Sequence, residues 1–164
     1  MSNNEVVWSS ALDLAARIRQ KDVSPVEVTE AILGRIEALN PRLNAFCLVA
    51  ADQSRASALD AEVAVMKREP LGPLHGVPVS IKDVIFTRGL RTTGGSQLFA
   101  DLVPEHDAVA VGRLRAAGAI VLGEEAACTG CSGGSATATV RTPAPMHAST
   151  PTTNRMVVFL YLFE

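Results

Sequence analysis

Lys82 ends the apolar run Val77–Ile81 and is followed directly by Asp83. Most lysines keep the charged end of the side chain in water, so one interpretation is a packed stem with a solvated or Asp83-paired ammonium. The alternative is a partly buried lysine that works as a base, because desolvation disfavours the charged form of an amine. The β-branched residues before Lys82 favour a strand, which would supply that desolvation.

Cys128 and Cys131 form a C-x-x-C pair, a spacing that zinc sites and redox-active thiol pairs share. A redox pair would open a helix, whereas glycine, serine and threonine follow here. A zinc site needs two further ligands, and the remaining candidates are isolated along the chain: Cys47, His75, His106 and His147. We therefore expect no metal and no cofactor, and we expect the histidines to be structural or solvent-facing.

Two capped helices are predicted before the lysine strand. Ser10, followed by Asp13, predicts the start of a short helix whose apolar side carries Leu12, Ala15, Ala16 and Ile18. The stretch "SPVE" at residues 24–27 is a stronger start, because it supplies an N-cap, a proline at the first helical position and a glutamate at the third. Asn40-Pro41 is expected to end this second helix.

A third helix is predicted over residues 51–67, which are rich in alanine. Its apolar side is expected to carry Leu59, Val63 and Met66. The strand at residues 77–81 follows this helix.

A fourth helix and a second strand follow the glycine- and threonine-rich loop at residues 88–96. Asp107 is expected to cap the helix and Gly118 to close it, and "AIVLG" at residues 119–123 reads as the strand. A strand, a long connection with a helix, and a second strand indicate a parallel βαβ unit.

Composition excludes several classes of protein. The 164 residues are 48% apolar and 20% charged, as expected for a globular protein of one domain. A net charge of −2 gives no electrostatic case for nucleic acid or an anionic membrane. The N-terminal sequence lacks the pattern of a secretory signal, and three cysteines do not make a disulfide framework. The expected location is the cytoplasm.

The character of the sequence changes after Gly123. Residues 124–155 contain no leucine, isoleucine or aromatic residue and are dominated by small and polar types, so we expect them to be loop-like or disordered. Val157–Phe163 is an uncharged, β-prone segment that favours aggregation unless it is paired or buried. The sequence therefore divides into an ordered part, 1–123, and a divergent tail, 124–164.

The ordered part resembles the N-terminal portion of the amidase signature family. The likeness rests on "PLHGVPVSIKD" (73–83), "TRGLRTTGGS" (87–96) and "HDAVAVGRLRAAGAIVLG" (106–123), in that order. The segment 24–47 resembles the family's opening helices, and the likeness covers residues 8–123. It implies an α/β fold in which N-terminal helices precede the first strands of a mixed sheet, here truncated.

The resemblance implies hydrolysis of an amide by a Ser–cisSer–Lys triad, with backbone N–H groups stabilising the oxyanion. Lys82 matches the family's lysine, and Asp83 matches the residue after it, where a supporting role is expected. The resemblance also implies that "RTTGGS" (91–96) is a structural loop on the substrate side, which is preferred to a phosphate-binding loop because no Gly-Lys-Ser/Thr follows.

The family's serines have only partial counterparts in this sequence. The segment most similar to the family's Gly-Gly-Ser-Ser-Gly-Gly-Ser loop is "TGCSGGS" (129–135). In this alignment Cys131 replaces the cis serine, and Ser132 matches the serine next to it. Ser135 is the candidate nucleophile, although Ala136–Thr139 separate it from the Val-Arg pair that echoes the family's Ile-Arg. The candidate catalytic residues are thus Lys82, Ser132 and Ser135.

Three functions are compatible with these observations. The first is an amidase acting on a small-molecule amide, represented here by an inactive N-terminal portion that is read out of frame or rearranged near residue 124. The second is a protein similar to the A subunit of the amidotransferase that amidates misacylated tRNA, which would depend on partner proteins. The third is a non-catalytic binding fragment. The identity of the amide and the oligomeric state are left open.

Overall fold

The computed structural model describes residues 3–126. Three strands and five helices are formed in this part of the chain, together with a 3₁₀ turn at Gln97–Phe99. In chain order they are α1 (Asn3–Val7), α2 (Ala11–Gln20), α3 (Pro25–Leu43), β1 (Phe46–Val49), α4 (Ala51–Lys67), β2 (Pro78–Lys82), α5 (Val109–Ala116) and β3 (Ile120–Glu125).

The strands form a mixed sheet in the order β1-β3-β2. β3 runs parallel to β2 and antiparallel to β1, so the predicted βαβ unit is confirmed and a third strand is added to it. The α/β fold class, with N-terminal helices ahead of a mixed sheet, is therefore confirmed. β1 was not predicted, because it is only four residues long and carries no periodic signal of its own.

The sheet lies between two layers. On one face Ile120 packs against Ala58 and Ala61 of α4. On the other face the core is formed by Val79, Ile81, Leu90, Val111 and Val121, which join the sheet to α5 and to the long connection after β2. This connection, residues 83–108, thus covers the sheet face opposite α4.

The two N-terminal caps form as predicted. The Ser10 hydroxyl accepts a hydrogen bond from the N–H of Asp13 (3.2 Å). At α3 the Ser24 N–H donates to Glu27 Oε2 (3.0 Å), which completes a capping box. The predicted end of α3 at Asn40-Pro41 is wrong, because the helix continues to Leu43. Pro41 lies in the last turns of α3, where its missing N–H removes one helical hydrogen bond. The helical bonding resumes after Pro41, since the Asn44 N–H donates to the Asn40 main-chain oxygen (2.7 Å).

One predicted apolar face is wrong and another is wrong in part. In α2 Ala15 and Ile18 are buried as predicted, but Leu12 is 78% exposed and Leu14 is buried in its place. In α4 the predicted residues are exposed, and the buried side consists of Ser54, Ala58, Ala61 and Val65. Small side chains allow α4 to approach the sheet closely, and the buried Ser54 hydroxyl donates to the Val121 oxygen of β3 (2.9 Å).

The start of α5 also differs from the prediction. Asp107 does not cap the helix, since Ala108 is the N-cap residue and makes no side-chain cap. The Asp107 carboxylate instead accepts from the Arg88 N–H (2.7 Å) and pairs with Arg115 (3.3 Å). β3 extends to Glu125, two residues beyond the predicted strand. None of the helices in the described part of the chain is long and apolar enough to cross a bilayer.

Candidate active site

Lys82 is the last residue of β2 and is half-buried. Its register partner in β3 is Glu125. The strand ends here because the Lys82 main-chain oxygen accepts hydrogen bonds from the N–H groups of Val84 (2.7 Å) and Ile85 (2.8 Å), which turns the chain away from the sheet. The lysine is thus held on a rigid element at the point where the long connection begins.

Asp83 is fully buried and fastens the glycine-rich loop to the end of β2. Its Oδ1 accepts from the Thr93 N–H (2.6 Å), and its Oδ2 accepts from the Thr93 hydroxyl. Its main-chain oxygen accepts from the Gly94 N–H (2.7 Å), and its own N–H donates to the Glu125 oxygen (2.9 Å). We call this set of bonds between Asp83, Thr93 and Gly94 the Asp83 clamp.

The clamp excludes one form of the first interpretation of Lys82, the form in which its ammonium pairs with Asp83. The Asp83 carboxylate is directed to Thr93, and none of the ion pairs within residues 3–126 includes Lys82. Asp83 therefore acts on the loop, and the Lys82 amine is not neutralised by a carboxylate from the described part of the chain.

Ser80 and Glu125 are neighbours of Lys82 that the sequence analysis did not identify. The Ser80 hydroxyl, two residues before Lys82 on the same side of β2, donates to the Glu125 carboxylate. Both residues border an apolar groove of about 280 Å³ between the sheet and α3, lined by Ile32, Ile36 and Leu39 among others. A paired polar edge on an apolar groove is the usual form of a binding pocket for small molecules.

Glu124 is a further buried acid that sequence reasoning missed, because it lies in the segment expected to begin the tail. It is fully buried, and burial raises the pKa of its carboxyl to about 7. It lies on the sheet face opposite Ser80 and Glu125, since its register partner is the core residue Ile81.

The predicted serines, Ser132 and Ser135, lie outside the described residues, as do Cys128, Cys131 and His147. The structure thus brings Lys82 together with Asp83 and with the Ser80–Glu125 pair, and it does not place the serines. The peptide bonds of the described residues are all trans.

Of the isolated histidines and cysteine in this part of the chain, His75 and Cys47 have structural contacts and His106 is exposed. His75 Nε2 lies 2.9 Å from the Ala61 oxygen, and Cys47 Sγ lies 3.4 Å from the Glu124 oxygen. Residues 3–126 contain no group of three or more His, Cys, Asp or Glu side chains that could hold a metal ion.

A family model for amidases matches residues 27–152, which is most of the chain. The chain belongs to the amidase family. The match extends past the change in composition at residue 124. The resemblance to the amidase signature sequences is thereby confirmed.

Relatives and solved structures agree with this family. The A subunit of the glutamyl-tRNA(Gln) amidotransferase from Salinispora tropica is 45% identical over 115 residues, which are 70% of this chain and 23% of that protein. The peptide amidase from Stenotrophomonas maltophilia is 35% identical with a TM-score of 0.66, over 71% of this chain and 24% of that structure. A bacterial aryl acylamidase of the amidase signature family is 30% identical with a TM-score of 0.69, over 74% of this chain and 26% of that structure. The chain therefore spans about a quarter of the proteins it matches.

Proposed function

We propose that this chain is the N-terminal portion of an amidase in which Lys82 is the base of a Ser–cisSer–Lys mechanism. The observation that carries the proposal is the placement of Lys82 at the end of β2, beside the Asp83 clamp and without an ion-pair partner in the described residues. A lysine used as a base must lose its proton before it can accept one, and a neighbouring carboxylate would hold the ammonium form in place.

The proposed reaction cleaves a carboxamide. A serine hydroxyl attacks the carbonyl carbon, and its proton passes through a second serine to the neutral Lys82 amine. The C–N bond then breaks, and the departing nitrogen takes the proton from the lysine. Water hydrolyses the acyl–serine ester and restores the serine. Ser132 and Ser135 are the candidate hydroxyls of this chain, and the Gly-rich segment around them is the candidate source of oxyanion N–H groups.

A chimeric enzyme tests the role of Lys82. We would place residues 3–126 in the Stenotrophomonas maltophilia peptide amidase, in exchange for the segment they match, and measure release of the amide nitrogen from a C-terminal peptide amide. The expected result is turnover that Lys82→Ala lowers at least about 10³-fold, as for loss of a catalytic base acting with its nucleophile. Lys67→Ala, which changes an exposed lysine at the end of α4, should leave turnover unchanged.

Two results would contradict the role of Lys82. One is a Lys82→Ala chimera that retains turnover within about threefold. The other is equal loss with Lys67→Ala, since that would point to the fold of the grafted segment. Equal thermal unfolding midpoints of the chimera and both variants keep the comparison interpretable.

We also propose that the 164-residue chain by itself does not turn over amides, because it spans about a quarter of the matched enzymes. The purified chain should release no ammonia above its Lys82→Ala variant from small carboxamides. Clear turnover by the unmutated chain, lost in Lys82→Ala, would contradict this part of the proposal and would place the required serines within the chain itself.

A second candidate function is that of the A subunit in a tRNA-dependent amidotransferase. It is favoured by the curated relatives, which carry that name at 38–46% identity. The two functions differ in whether activity requires partner proteins, so binding of partners and activity without them are the quantities to measure. Binding of the chain to the other components of a bacterial glutamyl-tRNA(Gln) amidotransferase would favour the amidotransferase, whereas a chimera active on simple amides without them would favour the amidase.

A further inference from the structure

A bulge in β3 turns Glu124 into the interior. Val79 pairs with Val121, but Ile81 pairs with Glu124. Two residues along β2 therefore correspond to three along β3, so β3 contains one extra residue. Without the extra residue Ile81 would face Gly123, and Glu124 would fall on the other side of the sheet beside Lys82. The bulge instead places the Glu124 side chain in the core with Ile81.

Gly123 is the residue that makes this bulge possible. Its φ of +150° is rarely adopted by other residues, and a Cβ at this position would lie 2.1 Å from the Leu48 oxygen of β1. The close approach of β1 and β3 therefore requires glycine. Since the same glycine sets the bulge, the burial of Glu124 is built into the sheet.

The Glu124 carboxyl has no hydrogen-bond partner among residues 3–126. The Thr87 and Thr92 hydroxyls lie near enough to lower the pKa of this carboxyl by hydrogen bonding. In the structure, however, they donate to the main-chain oxygens of Ile85 (3.1 Å) and Leu90 (3.4 Å), the second of these bonds being long. A buried carboxylate without partners is costly, so this group favours its neutral form.

Asp83 is the charged group that acts on Glu124. Burial raises the pKa of Glu124 to about 7, the Asp83 charge adds to the rise, and the two threonines oppose it. From β1, the Cys47 thiol donates to the Glu124 main-chain oxygen (3.4 Å). In the covering loop, Arg91 donates to main-chain oxygens of Ala100 and Cys47, and on α5 Arg115 is paired with Asp107. The two acids are thus both buried near the end of β2, close enough for the Asp83 charge to act on Glu124, and the arginines named here are bonded elsewhere.

We propose that Glu124 is a protonation switch for the Asp83 clamp. As a neutral acid, Glu124 fills the interior behind the loop and leaves Asp83 free to hold Thr93 and Gly94. When Glu124 loses its proton, a second negative charge is enclosed next to Asp83. Opening the loop to water is the conformational change that hydrates this charge at the lowest free-energy cost. The loop beside Lys82 is therefore held firmly below neutral pH and loosely above it. This inference concerns the fold and does not depend on the proposed catalysis.

Amide hydrogen exchange in the full chain tests the switch. Protection factors, corrected for the intrinsic pH dependence of exchange, would be measured between pH 5 and pH 8.5. We expect the Thr93 and Gly94 amides to lose protection at least about tenfold across this range, while the Gly76 amide, bonded to Gly118, changes little. Glu124→Gln should abolish the loss, and Glu69→Gln, at an exposed acid after α4, should preserve it.

Two outcomes would overturn the proposal: constant protection of Thr93 and Gly94 in the wild type, or the same loss in Glu124→Gln. A second measurement does not depend on the variant folding. The ¹³C chemical shift of the Glu124 carboxyl in the wild-type chain should titrate with the same midpoint as the loss of protection. Midpoints that differ by more than about one pH unit would show that the titration of Glu124 and the loss of loop protection are separate processes, which would refute the switch.

Discussion

At the scale of single residues, the chemistry around Lys82 depends on the residue after it. Asp83 donates its N–H to Glu125 and accepts three hydrogen bonds from Thr93 and Gly94, so it joins the sheet to the loop. Hydrogen bonds to a buried charged group are stronger than neutral ones, and the Asp83 carboxylate makes them to Thr93 and forms no ion pair with Lys82. Lys82 and Asp83 therefore have separate tasks despite their adjacency.

Asp83→Ala should lower the free energy of unfolding by about 3 kcal/mol, because it removes two bonds to a buried carboxylate and leaves the half-buried Thr93 donors unpaired. Urea denaturation of the full chain measures the change. Asp101→Ala, at an exposed acid, should change it by less than about 0.5 kcal/mol. A loss below about 1 kcal/mol for Asp83→Ala would mean that the clamp contributes little to stability.

At the scale of secondary-structure elements, the sequence predicted those features that are determined by residues close together in the chain. The caps at Ser10 and Ser24 and the bounds of α4 follow from local chemistry, and the structure has them. The buried side of α4 depends on what it packs against, and alanines are buried in preference to Leu59 and Met66 because the helix lies close to the sheet.

The sequence could not predict β1 or the burial of Glu124, because both depend on pairing between strands that are distant in the chain. β1 exists only through its pairing with β3, and Glu124 turns inward only because of a register shift between strands. Neither leaves a periodic pattern in its own segment. In the candidate site, Lys82 and Asp83 were found from the sequence, whereas the Thr93 contact and the Ser80–Glu125 pair required the fold.

Gly123→Ala should be severely destabilising, by about 3 kcal/mol or more, since the new methyl group would overlap the Leu48 oxygen at a strained backbone angle. Gly34→Ala is the matched control. Gly34 lies within α3 with nothing within 4 Å of the added Cβ, so alanine should stabilise the chain by about 0.5–1 kcal/mol. Thermal and urea unfolding measure both changes. Similar small effects at the two glycines would contradict the close approach of β1 and β3.

At the scale of the whole molecule, buried acids make stability depend on pH. The pKa of Glu124 rises from 4.5 to about 7 on folding, chiefly because the carboxyl is buried. The folded chain therefore binds this proton more tightly than the unfolded chain, so the contribution of Glu124 is fully present below pH 4.5. It decreases as the pH rises from 4.5 towards 7 and is constant above that value. The total loss is on the order of 3 kcal/mol.

The difference between the wild type and Glu124→Gln isolates this contribution from that of the other acids. The cost of burying glutamine is the same at every pH. The stability of the variant relative to the wild type should therefore rise by on the order of 3 kcal/mol between pH 4.5 and pH 8. Urea midpoints at intervals of half a pH unit would follow this gain, and Glu69→Gln should show none because its carboxyl is exposed. A difference that stays constant across the range would mean that Glu124 is ionised in the folded chain at low pH. The charge would then need a cationic partner that residues 3–126 do not provide.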